Sequence, residues 1–566
     1  MKSLYHELAE ICRQNMFQKK VLIMPAYSAG HMLIQQYVME GHKSLNLKPE
    51  TLLSTAEQKC KIFLQQRGLK LINENLANHL MLEMLKVLSE NGRLAYFSRL
   101  EMTPGIAKAV SNSVTELRMA GITPSDLNEE YFVNIYKGRD IKTISEEYSK
   151  VLAENNYLDK ADLLRLAVSI NQGRGNHAVK ESGAVKGNHV VYIIPSNIKL
   201  EPLERIFLET ILQGNSFSIL NSADLPGLTA PTNHFKCRPA EPVENQSLNP
   251  LAWLYDIKNI PASSSYCPDI EMFHAYGENC EVTEILRRIK EKKQPFDQAA
   301  VYYTSREPYT QYFVELAQQY GIPITFGEGI SIRNTRPGRF FYALIEWLKS
   351  DYNVTHLYKL MMSTDFSISS DKKAPSKIFT ARVLRSLGIG WGRERYLLRV
   401  EKEIEKYLSL LTRKSEGKGR KALKEHLNNL IWIKDFMVNL WDKIPQPDQE
   451  NKINYSSLVK GLAEIIGLYS SCAGEVDEEA KNSMVEEFNS IAGSFHSPIT
   501  IEEALLLLED TVSLMRVNRS SPKPGFIHVD SYKKGLWISR NSNFFVGMDA
   551  HRFPGQSTED AVLLDA

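Results

Sequence analysis

The sequence predicts an α/β chain with two parallel-sheet cores, each interrupted by a helical insertion. Two observations carry that prediction. Short, continuously apolar runs of strand length alternate with helical segments in two parts of the chain, as strands buried on both faces of a parallel sheet require. Long stretches dense in Leu, Glu, Lys and Ala at three-to-four spacing divide each set of strands into an early and a late group.

Taken in order, an amphipathic N-terminal segment leads into KKVLIMP (19–25), a buried-type strand ended by Pro25, then a loop and a helix. Residues 50–92 and 104–170 read as helical, with a helix start at Thr103-Pro104. A polar Gly/Asn/Lys segment (171–189) precedes a second buried-type strand, VVYIIP (190–195), a helix over 200–213 and the strand FSILN (217–221). A proline-rich run containing Pro226, Pro231, Pro239, Pro242 and Pro250 marks a domain edge. The second unit opens with EMFHAYG (271–277) as a strand and continues through a helix spanning Glu284 and Arg287, the strand AAVYYT (299–304), a helix over 308–320 and GIPITFG (321–327). Helices fill 338–515, with charged linkers at 412–424 and 442–453, before FIHVD, LWIS and FFVGM close the chain.

Composition narrows the function classes. At about 150 residues per domain, 566 residues suggest about four domains. With 43% hydrophobic and 24% charged residues the chain is neither disordered nor collagenous nor disulfide-dense. Lys+Arg 68 against Asp+Glu 67 leaves a net charge of +1, which excludes a uniformly basic DNA-coating protein and leaves room for a local basic groove. VVYIIP and FFVGM fall far short of the roughly 20 apolar residues a membrane span needs. The N-terminus lacks a signal-peptide core, so a cytoplasmic location is expected. Cys12, Cys60, Cys237, Cys267, Cys280 and Cys472 are dispersed with no C-x-x-C pair and read as reduced structural thiols.

Five segments, in this order, resemble a known family: NNYLDKADLLRLA (155–167), VVYIIPSNIKLEPLERIFLETI (190–211), AAVYYTSREPYTQYFVELAQQYGIPITFGEGISI (299–332), GIGWGRERYL (388–397) and KKGLWISRNSNFFVGMDAHRFPG (533–555). They are similar to the UvrD/RecB-like superfamily 1 helicases, and more closely to the B subunits of AddAB (RexAB) ATP-dependent helicase–nucleases, whose helicase core is regarded as inactivated. The resemblance implies two RecA-like cores, 1A and 2A, with helical insertions 1B and 2B. In this chain 1A would be 1–98 and 176–265, 1B 99–175, 2A 266–345 and 521–566, and 2B 346–520.

ATP hydrolysis needs amides that cradle phosphates, a lysine on the β/γ oxygens, a hydroxyl on Mg²⁺ and an acid for metal and water. After the first strand the chain reads Pro25-Ala26-Tyr27-Ser28-Ala29-Gly30-His31-Met32, so Ser28, Gly30 and His31 are the degenerate positions of a nucleotide loop that has no Lys-Ser/Thr pair. His31 reads as a partly solvated loop histidine rather than a phosphate contact. The lone Gly-Lys pair, Gly417-Lys418, lies in a charged linker, and the second strand ends Ile193-Ile194-Pro195-Ser196 with neither expected carboxylate. Trp537 stands where the family has Glu after K-G-L. Without the lysine and both acids the charge stabilisation of phosphoryl transfer is missing, so no catalytic residue is expected.

The family's arginine-finger motif and its PD-(D/E)xK nuclease domain, with four iron–sulfur cysteines, would follow Ala566; Mg²⁺ and an iron–sulfur cluster would belong there, and no cofactor is expected in these residues. The D-x-K tripeptides at Asp140-Ile141-Lys142, Asp256-Ile257-Lys258 and Asp371-Lys372-Lys373 read as solvated surface. What remains is a mechanical role: a frame for single-stranded DNA, with basic residues along phosphates and aromatic rings under bases. Tyr302, Tyr303, Arg306, Tyr309, Arg333, Arg336, Arg339 and Lys534 are the contact candidates, half of them expected to be packing residues, with Arg306 also read as a surface arginine capping the next helix.

The expectation is therefore a non-catalytic, DNA-binding subunit of an AddAB-type complex in double-strand break repair. Its partners would be an AddA-like motor and single- and double-stranded DNA, with no membrane. The alternatives are a free-standing interaction module of a repair or defence cassette, and the N-terminal part of a PD-(D/E)xK nuclease.

Overall fold

The computed structural model describes residues 4–173, 190–196, 198–213, 215–220, 270–368, 374–413, 418–493, 498–535, 540–553, 555 and 562–563. The chain is mixed α/β, with parallel sheets and many helices. In the first sheet, β1 (Lys20–Ile23) lies between β2 (Leu47–Glu50) and β3 (Val191–Pro195), and β4 (Ser216–Leu220) flanks β3. In the second, β5 (Ala299–Tyr303) and β7 (Ile527–Ser531) are central, with β6 (Ile324–Phe326) beside β7 and β8 (Ser542–Val546) beside β5. Every ladder in both sheets is parallel.

The central strands β1, β3 and β5 are buried along their whole length, which is why they read as unbroken apolar runs rather than alternating ones. The strand β2 has no such signal. Its LKPE sequence carries Lys and Pro49, and it is tolerated because it sits at a sheet edge, where a missing N–H donor costs little. The run EMFHAYG, expected as a strand, forms none, and the second unit begins with the helix Glu278–Glu291. The predicted start at Thr103-Pro104 is present: Thr103 Oγ1 accepts the Ile106 amide at 3.4 Å, with proline in the first turn of Pro104–Met119.

Lys20, the first residue of β1, is only 1% exposed. Its ammonium donates to the carbonyls of Asn15 (2.7 Å), Gln18 (2.9 Å) and Met16 (3.3 Å), satisfying orphan acceptors beyond the helix Leu4–Gln14. Burial pushes its proton affinity down.

The cores do not follow the order of the sequence. The first sheet packs two small apolar clusters of its own, but residues 72–152 share one continuous core with the second sheet and the helices after Arg336. Three polar contacts tie these stretches together. His79 Nε2 meets the Tyr455 hydroxyl at 2.9 Å, Lys86 pairs with Glu503 at 3.1 Å, and the Asn73 amide donates to Glu487 at 2.8 Å. Burial holds the His79 imidazole down at about 4, so it is neutral across the physiological range.

Asp140 corrects the solvated-surface reading of its tripeptide. It is 1% exposed, and its carboxylate accepts the amides of Ala95 (2.9 Å), Tyr96 (2.8 Å) and Phe97 (3.0 Å), capping a short turn. The tripeptides at 256–258 and 371–373, the proline-rich run, the LWIS run with Trp537, and Gly417 lie outside the described residues. Cys12 and Cys60 are buried free thiols, Cys280 is exposed and Cys472 half-buried.

Candidate functional site

Three residues, Met24 to Ala26, separate β1 from the helix Tyr27–Met39. That connection is too short to wrap a phosphate chain. Ser28 is already in the first turn, and the Gly30 amide donates to the Ala26 carbonyl at 3.2 Å, a bond internal to the helix. Gly30 is required for packing: a Cβ there would lie 2.3 Å from the Pro49 Cβ of β2. His31 stacks edge-on against Tyr27 with centroids 4.6 Å apart, and burial lowers its proton affinity. A magnesium nucleotide does not fit this donor set, because there is no lysine and the Ser28 hydroxyl is directed at a carboxylate of the other sheet.

That carboxylate belongs to Asp530, at the carboxyl end of β7 and fully buried. Ser28 Oγ donates to its Oδ2 at 3.4 Å, the Ser531 amide to its Oδ1 at 2.8 Å, and the Lys534 ammonium lies 3.4 Å away. The His528 Nε2 is 3.6 Å from Oδ2, an ion-pair distance too long for a hydrogen bond, while Nδ1 meets Thr325 Oγ1 at 3.0 Å. Burial drives the His528 proton affinity down against the pull of Asp530. Gly327 makes room for this carboxylate, since a Cβ there would fall 2.0 Å from Oδ2. Alongside, Met32 packs with Ala300 and Tyr302, and Arg540, held by the carbonyls of Ala299 and Phe526 at 2.8 Å, approaches the Met32 sulfur at 3.8 Å. Burial lowers the Arg540 guanidinium to about 10.

Glu328, one residue beyond Gly327, collects the next layer. Its carboxylate accepts from Arg306 Nη2 (2.6 Å), Arg306 Nε (3.1 Å) and the Tyr303 hydroxyl (2.8 Å), and Lys534 lies 3.2 Å away. Burial by itself would raise the Glu328 carboxyl, but the Arg306 hydrogen bonds, the Lys534 charge and the Tyr303 hydroxyl hold it at about 2. Neither Glu328 nor Asp530 was among the residues singled out from the sequence. The available signal was an acid at the end of a buried strand, in FIHVD, and one just past it, in ITFGE.

The predicted contact residues divide sharply by accessibility. Tyr302, Tyr303 and Tyr309 are 1%, 2% and 1% exposed, and the Tyr309 hydroxyl donates to Glu281 at 2.6 Å, so none of the three offers a ring face to a base. Burial pushes all three phenols up. Lys534 is shared between Asp530 and Glu328, and Arg306 is spent on Glu328 rather than standing as a free surface arginine. Arg336 lies beside Asp477 at 3.9 Å, and Arg339 pairs with Asp365 at 2.8 Å. Arg333 is exposed, with its guanidinium 4.7 Å over the Tyr342 ring.

Next to this network stand two arginines the sequence reading passed over, Arg516 and Arg519. Arg516 is half-buried, bonded to the carbonyls of Ser513 (2.6 Å) and Met515 (2.8 Å), with a buried Nε that has no partner among the described residues. Burial lowers its proton affinity first, and repulsion from Arg306 and Arg519 lowers it further. The result is a basic rim of Arg333, Arg516 and Arg519, beside the Arg306–Glu328 pair, around the paired strands Ile330–Ser331 and Arg516–Val517.

Among the described residues no group of three or more His, Cys, Asp and Glu is placed to hold a metal ion, and no helix is long and apolar enough to cross a membrane. Comparison of the sequence with models of protein families and with curated proteins returned no match.

Proposed function

We propose that this chain is a non-catalytic, helicase-like DNA-binding scaffold, with two RecA-like cores in the arrangement of an AddAB-type B subunit, working beside an AddA-like motor in double-strand break processing. The observation that carries the reading is the basic rim: Arg333 and Arg519 are exposed, the half-buried Arg516 beside them has an Nε with no partner among the described residues, and such a cluster gains when a polyanion arrives. Two further features support it. The connection after β1 is too short to cradle phosphates, which favours a frame over a motor. The loop carrying Tyr131 (85% exposed) and Val133 (88%) continues into exposed Ile135 and Tyr136, an apolar surface suited to a protein partner.

The test is fluorescence anisotropy with a labelled single-stranded oligonucleotide across a salt series. Binding should weaken with salt, and Arg516→Gln with Arg519→Gln should flatten the log–log slope by about 0.7 for each phosphate that is no longer neutralised. Salt-independent binding, an unchanged slope in the double variant, or DNA-stimulated ATP hydrolysis abolished by changing residues 25–32 would overturn the proposal.

A further inference from the structure

A cavity of roughly 640 Å³ opens outside the carboxyl ends of β1 and β2 and beside the segment that follows β3. Its position has a topological cause. The chain leaves β1 for β2 on one side of the sheet and passes from β3 to β4 on the other, so the strand order reverses between β1 and β3. Crevices at such reversals are where open parallel sheets take ligands, and this volume is in the range of small-molecule sites.

The walls combine two chemistries. Met24, Pro25, Ile72, Ala77, Met119 and Ile198 supply an apolar body. Around them stand Glu74, Glu116, Asp159, Glu201 and Glu204 against Lys160 and Lys199. Asp159 is committed to the buried Arg118 at 2.7 Å, which leaves four carboxylates to two ammonium groups. Glu74 and Glu116 have no ion-pair partner among the described residues. Burial and the neighbouring Glu201 push the Glu204 carboxyl up, as expected of an acid short of cations.

Four helices start at this cavity, but their ends are capped from within. Thr51 accepts the Ser54 amide at 3.1 Å, Asn73 that of Leu76 at 2.9 Å, Asp159 that of Asp162 at 2.8 Å, and Glu204 that of Glu201 at 3.1 Å. With these oxygens in place and a surplus of carboxylates, phosphate is the wrong guest.

The independent observation is Tyr148. It lines the cavity at 1% exposure, its ring under the Arg118 guanidinium at 5.4 Å, and its hydroxyl has no hydrogen-bond partner among the described residues. A buried phenol without a partner costs free energy that a ligand atom would recover.

We propose that this cavity binds a small organic cation, an ammonium or guanidinium carried on an apolar body, with Glu74 and Glu116 as counter-ions and the Tyr148 oxygen as hydrogen-bond acceptor. The inference is independent of the DNA reading.

The experiment is a binding titration of the full chain, by calorimetry and ligand-observed NMR, with phenethylamine as the probe. Its comparators are 2-phenylethanol, 3-phenylpropionate and inorganic phosphate. Phenethylammonium should bind saturably and about tenfold more tightly than the alcohol, with the two anions silent. Tyr148→Phe, which keeps the ring, and Glu116→Gln, at an exposed position, should each weaken it by about three- to thirtyfold while the thermal melt of Glu116→Gln is unchanged. Equal binding of amine and alcohol, preference for either anion, no saturable binding, or full affinity in Glu116→Gln would overturn the proposal.

Discussion

Replacing Glu328 with glutamine removes a charge that three cationic or hydroxyl partners converge on, without changing the side chain's shape. The carboxylate accepts from Arg306 at 2.6 Å and from Tyr303 at 2.8 Å, with Lys534 at 3.2 Å. Lowering its proton affinity from 4.5 to about 2 corresponds to about 3.4 kcal/mol, at about 1.36 kcal/mol per tenfold. Arg306 and Lys534 are 36% and 25% exposed, so solvent screening reduces the usable part to about 1.5 kcal/mol. The carboxyl is depressed in the folded state, so its stabilisation is complete above 4.5 and is lost as pH falls from there toward 2. Urea denaturation followed by tryptophan fluorescence should therefore show Glu328→Gln costing about 1.5–3 kcal/mol at pH 7 and less than half of that at pH 3. A double-mutant cycle with Arg306→Gln should give a coupling of about 1–2 kcal/mol. A coupling below about 0.3 kcal/mol, or an equal cost at both pH values, would refute the assignment of Glu328 as the centre of the network.

Two further substitutions probe the packing around the junction. Gly327→Ala places a Cβ 2.0 Å from the buried Asp530 carboxylate and should cost about 1–3 kcal/mol in the same denaturation assay, with faster hydrogen exchange in β7. Arg118→Met leaves the buried Asp159, 2.7 Å from the guanidinium, without its counter-charge, while the half-buried Asp162 keeps Arg165 at 3.8 Å; a loss of about 3–5 kcal/mol is expected, and a calorimetric melt unchanged from the parent would show the pair to be dispensable.

Much of the fold was legible because its signals are local. Strands β1, β3 and β5 are buried on both faces and declare themselves as apolar runs, and the Thr103-Pro104 start is a capping pattern confined to a few residues. The edge strand β2 was missed because a single ladder and a proline remove that signal, and EMFHAYG carried an apolar pattern but pairs with no strand among the described residues. Of the candidate site, the sequence reading singles out Arg306 and Lys534 as DNA contacts, whereas the structure pairs both with Glu328. Their counter-charge, Glu328, is an ordinary acid in sequence and becomes their partner only when β6 is placed beside β7.

The sequence by itself determined the central buried strands β1, β3 and β5, the helix start at Thr103-Pro104, and that the connection after β1 lacks the lysine of a phosphate-binding loop. Tertiary structure decided everything that depends on distance. It set Ser28 against Asp530 across 502 positions of chain and withdrew the tyrosines into the interior. It gathered Arg516 and Arg519 beside Arg306, and it merged the core of residues 72–152 with that of the second sheet. The physical reason is that hydrophobic periodicity is written along the chain, whereas burial and charge pairing are properties of which surfaces meet, and no spacing in the sequence encodes that.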